Sequence, residues 1–91
     1  MPITHLVKRK GHTEQFDEKK AYASVYWAAR SAHVLEQPAE KLAEQVCKAL
    51  LHWLGTKETV SSEELFQFIG HELVKLNPDA GYMYKTHRDL S

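Results

Sequence analysis

The sequence predicts a mainly α, α+β fold in which a short β-hairpin covers a body of four helices. Three observations carry this expectation. From residue 17 onward, apolar residues recur at spacings of three and four, the period of a helix with one buried face. Helix punctuation divides that stretch at Asp17, Pro38, Gly55, Ser61 and Asn77-Pro78. Ahead of it, two runs that mix polar residues with β-branched, apolar or aromatic ones flank Lys10-Gly11, which reads as a hairpin turn.

Ile3–Arg9 and His12–Phe16 are the two strands, with Gly11 supplying the positive φ that the turn requires. Two strands alone are marginal in water, so the hairpin needs a surface to lie on. Asp17 is placed to cap the first helix, whose stripe of Ala21, Tyr22, Val25, Tyr26, Ala28, Ala29 and Ala32 reaches toward Leu35. Trp27 falls at the margin of that stripe. Pro38 is read as starting the second helix, at the first helical position, with Leu42, Val46, Ala49, Leu50 and Trp53 inward and Ala43, Cys47 and Leu54 widening the face. Gly55 closes it as the residue after the cap. Thr59-Val60 fits a brief third strand, and Ser61 with Glu64 three residues later matches a capping box. Leu65, Phe66, Ile69, Leu73 and Leu76 form the inner face of the third helix, which stops before Pro78. Asp79 is the expected cap of a last helix carrying Tyr82, Met83 and Leu90.

The bulk numbers exclude several classes. At 91 residues the chain is expected to be one domain, residues 1–91, and 43% hydrophobic content suffices for a core. A formal net charge of zero argues against holding nucleic acid by bulk electrostatics, so direct nucleic-acid binding is not expected. Charge is nonetheless concentrated at the start, where residues 1–20 carry five Lys or Arg against three acids. The lone Cys47 cannot form an internal disulfide, and it lies in an apolar stripe that favours a packed thiol. There is no apolar run long enough to span a membrane and no secretory leader pattern, so a cytoplasmic setting is expected.

Catalysis is not expected. The six histidines are scattered without a zinc-helix spacing, and no nucleophile stands with a base. His5 and His12 are the one pair that could share a metal, across the hairpin. The familiar Gly-rich phosphate loops are absent. A different phosphate-holding set is present: Lys8 on a strand, Lys20 in the first helical turn, and Ser61-Ser62 at another helix start, together supplying charge and directed donors. The competing reading makes Lys8-Arg9-Lys10 a solvated hairpin tip and the serines only caps.

One further pattern distinguishes these readings. Leu6, Lys8-Arg9-Lys10-Gly11, Glu14, Phe16-Asp17 and Lys20 are followed by an Ala-rich helix, Ala23-Ser24-Val25 to Ala28-Ala29. Then come Val60-Ser61-Ser62-Glu63-Glu64-Leu65 and Ala80-Gly81-Tyr82-Met83-Tyr84-Lys85. In that order, nearly the whole chain resembles the ATP-cone domain. This is the allosteric nucleotide-binding module at the start of many ribonucleotide reductase large subunits, found also in the transcriptional repressor of ribonucleotide reductase genes.

The resemblance implies a four-helix bundle capped by a small β-hairpin or three-stranded sheet. It implies ATP or dATP as effector, with Mg²⁺ on the phosphates. Glu14 would accept the adenine amine, and the backbone near Asp17 would donate to the ring. Lys8, Arg9 and Lys20 would hold phosphates, Ser62 would add a hydroxyl, and Leu6 would pack beside the base. Occupancy would act through a protein partner or self-association. The chain departs from the family pattern at Lys10, where an acid is usual, and at Ala21, where an Ile is usual. It departs also at Phe66, where some cones have His, and in showing no counterpart to a further Lys well past the last tyrosine motif. The alternative is a protein- or nucleic-acid-interaction module with a degenerate nucleotide site.

Overall fold

The structure, a computed structural model, describes residues 6–9 and 11–87, with Leu6, Lys8 and Arg9 described by their strand positions. It is mainly helical: β1 (Leu6–Arg9), β2 (His12–Gln15), α1 (Glu18–Ser31), α2 (Glu36–Leu54), β3 (Thr59–Ser61), α3 (Ser62–Leu76) and α4 (Pro78–Thr86). The expected strand residues Ile3–His5 and the helical residue Leu90 lie outside the described residues. Phe16 has left the strand.

The three strands form one sheet in the order β2-β1-β3. β1 pairs antiparallel with β2, Arg9 against His12, leaving a two-residue turn in which Gly11 has φ +86°. It pairs parallel with β3, Val7 against Val60. Both valines are buried, and their shared face is what seals the sheet onto the helices. The helices close in a ring, α1 on α2, α2 on α3, α3 on α4 and α4 on α1. Trp53 of α2 and Phe68 of α3 stack with ring centroids 4.5 Å apart.

Asp17 caps α1 as expected, its carboxylate accepting the Lys19 and Lys20 amides. The same helix ends in a left-handed turn that was not expected. The His33 amide donates to the Arg30 carbonyl and the Val34 amide to that of Ala29, both at 3.0 Å, the paired hydrogen bonds of a Schellman turn. His33 therefore holds φ +68°, where a side chain is strained and glycine is not. Substituting His33→Gly is expected to stabilise the chain by about 1 kcal/mol, read as a higher urea midpoint at unchanged slope. A lower midpoint would count against this turn.

Three local assignments are corrected. α2 begins at Glu36, not Pro38, which lies two residues further in. Its missing amide costs nothing there, because first-turn amides have no partner within the helix. Gly55 is the cap residue itself, with φ −58°, so no left-handed conformation is required of it. α4 is capped by Asn77, whose Oδ1 accepts the Ala80 amide at 3.0 Å with Pro78 at the first position; Asp79 lies inside the first turn. The capping box at α3 forms as expected, Glu64 N–H to the Ser61 hydroxyl at 3.0 Å and Ser61 N–H to the Glu64 carboxylate at 2.9 Å.

The buried faces are rotated slightly from expectation. In α2 the fully buried residues are Ala39, Ala43, Val46, Cys47, Leu50 and Leu54, while Leu42, Ala49 and Trp53 are half-buried. In α3 the inner face includes Gly70, and Leu76 is 46% exposed. Leu35 stands 72% exposed in the loop before α2, outside the α1 stripe.

Candidate functional site

The chain turns from β2 into α1 at Phe16-Asp17, and an open cleft of about 600 Å³ forms around that joint. It is an open groove rather than an enclosed cavity. Glu14, Gln15, Phe16, Asp17, Glu18, Lys19 and Lys20 line it. Three of the expected site residues, Glu14, Asp17 and Lys20, are thus brought to one place.

Local chemistry explains each. Glu14 stands opposite Val7 in the β1–β2 register, so it shares the sheet face that meets the helices, and it is half-buried. Its carboxylate lies 3.8 Å from the His12 imidazole, two residues back on the same face of the strand. Asp17 Oδ1 accepts the Lys19 amide at 3.0 Å and the Lys20 amide at 3.4 Å, so the start of α1 already holds an anion. Lys20 is exposed on the first turn of α1.

The remaining expected residues are placed by their strand and helix positions. Lys8 pairs at Cα with Thr13 on one side and Ser61 on the other. Leu6 pairs with Gln15 and Thr59, and Arg9 with His12. Ser62 is half-buried at the first position of α3, directly after the β3 edge. Neighbouring strands lie roughly 5 Å apart. The three strands that carry or lead into these positions are neighbours in one sheet, in the order β2-β1-β3.

Gln15, Phe16, Glu18 and Lys19 also line the cleft and were not singled out from the sequence. Their signal was adjacency, since all lie at the strand-to-helix joint between Glu14 and Lys20. At the α3 start, the Ser61 N–H holds the Glu64 carboxyl below the usual glutamate range, and Lys57 adds to this. Ionised Glu64 thus supports that helix start above the usual range, and the support fades as pH falls through the lowered value. Cys47 is buried, and burial pushes its thiol up to about 11, with Glu18 contributing, so it behaves as packing.

Among the described residues there is no group of three or more His, Cys, Asp or Glu able to hold a metal by itself. His5, half of the one proposed metal pair, lies outside them. His33, His52 and His71 are exposed. Trp27 is 41% exposed, its ring edge-on to His87 at 5.3 Å. No helix among the described residues is long and apolar enough to cross a membrane.

A family model described as the ATP cone domain matches residues 4–86. Among curated proteins, the chain is similar to the transcriptional repressor NrdR of Chromobacterium violaceum. Identity is 28% over 93 residues, covering 98% of this chain and 60% of the relative. The chain thus spans less than two thirds of that relative's length. A relative named for transcriptional repression weighs against the expectation that nucleic acid is not bound directly. No solved structure matches the chain.

Proposed function

Because the chain belongs to the ATP-cone family, a family of nucleotide-binding regulatory modules, we propose that it binds ATP or dATP across its small sheet. Occupancy is then passed to a partner protein or a second copy. The observation that supports this most is the cleft at the β2–α1 joint, which gathers Glu14, Asp17 and Lys20. In this reading Glu14 accepts the adenine exocyclic amine, the backbone beside Asp17 meets the ring, and Leu6 packs by the base. Lys8, Arg9 and Lys20 hold the phosphates, with Mg²⁺ on the phosphate oxygens and the Ser62 hydroxyl at the far end. Since the Asp17 carboxylate occupies the α1 start, phosphate charge is met by ammonium and guanidinium groups rather than by that helix dipole.

Regulation follows from linkage. A nucleotide that ties β1 and β2 to α1 and α3 favours whichever surface goes with the tied state, and can shift assembly only by its differential affinity, typically about 1–3 kcal/mol. We read the role as regulatory rather than catalytic, residues 1–91 as one module, and the setting as cytoplasmic.

A second reading, an interaction module whose nucleotide site is degenerate, is favoured by exposed Trp27 at 41% and Tyr82 at 65%. A role in transcriptional control, as the relative's name suggests, belongs with it. Ligand binding raises the melting temperature by mass action, about 2.7 kcal/mol of stabilisation at a hundredfold excess over Kd. ATP and dATP with Mg²⁺ are expected to raise it by several degrees, and GTP by less. No response to any nucleotide would leave the interaction reading standing.

A further inference from the structure

We infer that Lys19 is a second phosphate-holding cation of the cleft, beside Lys20, and that it makes affinity depend on the number of phosphates the ligand carries. This rests on the nucleotide reading above and extends it to a residue outside the expected set.

Charge is the first reason. The cleft lining carries three carboxylates, Glu14, Asp17 and Glu18, against two ammonium groups, Lys19 and Lys20. With Lys20 alone the lining would be more strongly negative, and a polyphosphate would enter against it. The helix start adds little, because the Asp17 carboxylate already takes the Lys19 and Lys20 amides.

Geometry is the second. Those two hydrogen bonds fix the backbone of both lysines while leaving their ammonium ends uncommitted. Neither side chain forms an ion pair among the described residues, although three acids share the lining. Consecutive helical residues are separated by about 100° around the axis. Lys19 and Lys20 therefore reach a phosphate chain from different sides, so one does not replace the other. A nucleoside monophosphate offers too short a chain to engage both.

The test is calorimetric titration of the chain with ATP, ADP and AMP in Mg²⁺ buffer. Variants are Lys19→Gln, Lys19→Arg and, as a charge control outside the cleft, Lys48→Gln. Lys19→Gln is expected to weaken ATP roughly three- to tenfold, between the effect of an exposed ion pair and that of a charge-assisted hydrogen bond. AMP should change by less than about twofold, the salt dependence of ATP binding should become shallower, and Lys19→Arg should restore most of the loss. The inference is overturned if Lys19→Gln binds ATP as tightly as Lys48→Gln, or weakens all three ligands equally. If the unaltered chain binds none of the three, the nucleotide reading itself fails, and this inference with it.

Discussion

Gly81→Ala is expected to destabilise the chain by about 2 kcal/mol, lowering the melting temperature by roughly 8–16 °C for a domain of this size. At Gly81, α4 lies directly on α3. A β-carbon there would overlap the Val74 side chain and stand 2.7 Å from the Val74 Cα and 2.8 Å from its backbone nitrogen. Backbone atoms cannot rotate away, so the helices must separate. Such overpacking costs about 1–3 kcal/mol, and the upper end applies where the obstacle is main chain. Alanine recovers up to about 1 kcal/mol as the better helix former, which does not offset it. Gly70 provides the contrast. A β-carbon there meets the flexible Lys85 stem at 3.2 Å and the Tyr84 ring at 3.6 Å, so Gly70→Ala should be nearly neutral. Equal melting temperatures for the two variants would show that α4 does not rest on the α3 main chain at Gly81.

Removing both candidate phosphate cations, Lys8→Ala with Lys20→Ala, is expected to weaken ATP by at least about a hundredfold. Each charge-assisted contact contributes about 1.5–3 kcal/mol, and about 1.4 kcal/mol is a factor of ten. Lys20 is exposed on α1, and the Lys8 strand position is held by backbone pairing to Thr13 and Ser61. The melting temperature of the free variant is measured beside its affinity, and the Lys20 substitution, at an exposed position, should change stability by no more than about 0.5 kcal/mol. This separates loss of ligand from loss of fold. Calorimetry that returns the same ATP affinity for the double variant would remove both lysines from the phosphate assignment, whatever the family.

Much of the local structure was legible from neighbouring residues. Asp17, Gly11 and the Ser61–Glu64 box do what short-range backbone chemistry requires, because a cap or a turn is completed within three or four residues. The left-handed turn at His33 was not legible, since histidine carries no preference strong enough to announce it. At the start of α4 the expected cap was Asp79. Asn77 takes that place because Pro78 fits the first helical position, where no amide is needed.

The cleft was legible only in part. Glu14, Asp17 and Lys20 carried a pattern, whereas Lys19 and Gln15 became visible as lining residues once the strand-to-helix joint had a shape.

By itself, then, the sequence determined the number and kind of elements and the caps at Asp17 and Ser61. Those depend on contacts between residues close in the chain. The tertiary structure alone decided that β1 is the central strand, parallel to β3, and that α4 crosses α3 at a glycine. The cleft at the β2–α1 joint is the contrary case, lined by residues that follow one another in the chain. Strand order and helix crossing are settled by which apolar faces fit together, and no residue's immediate neighbours in sequence contain that information.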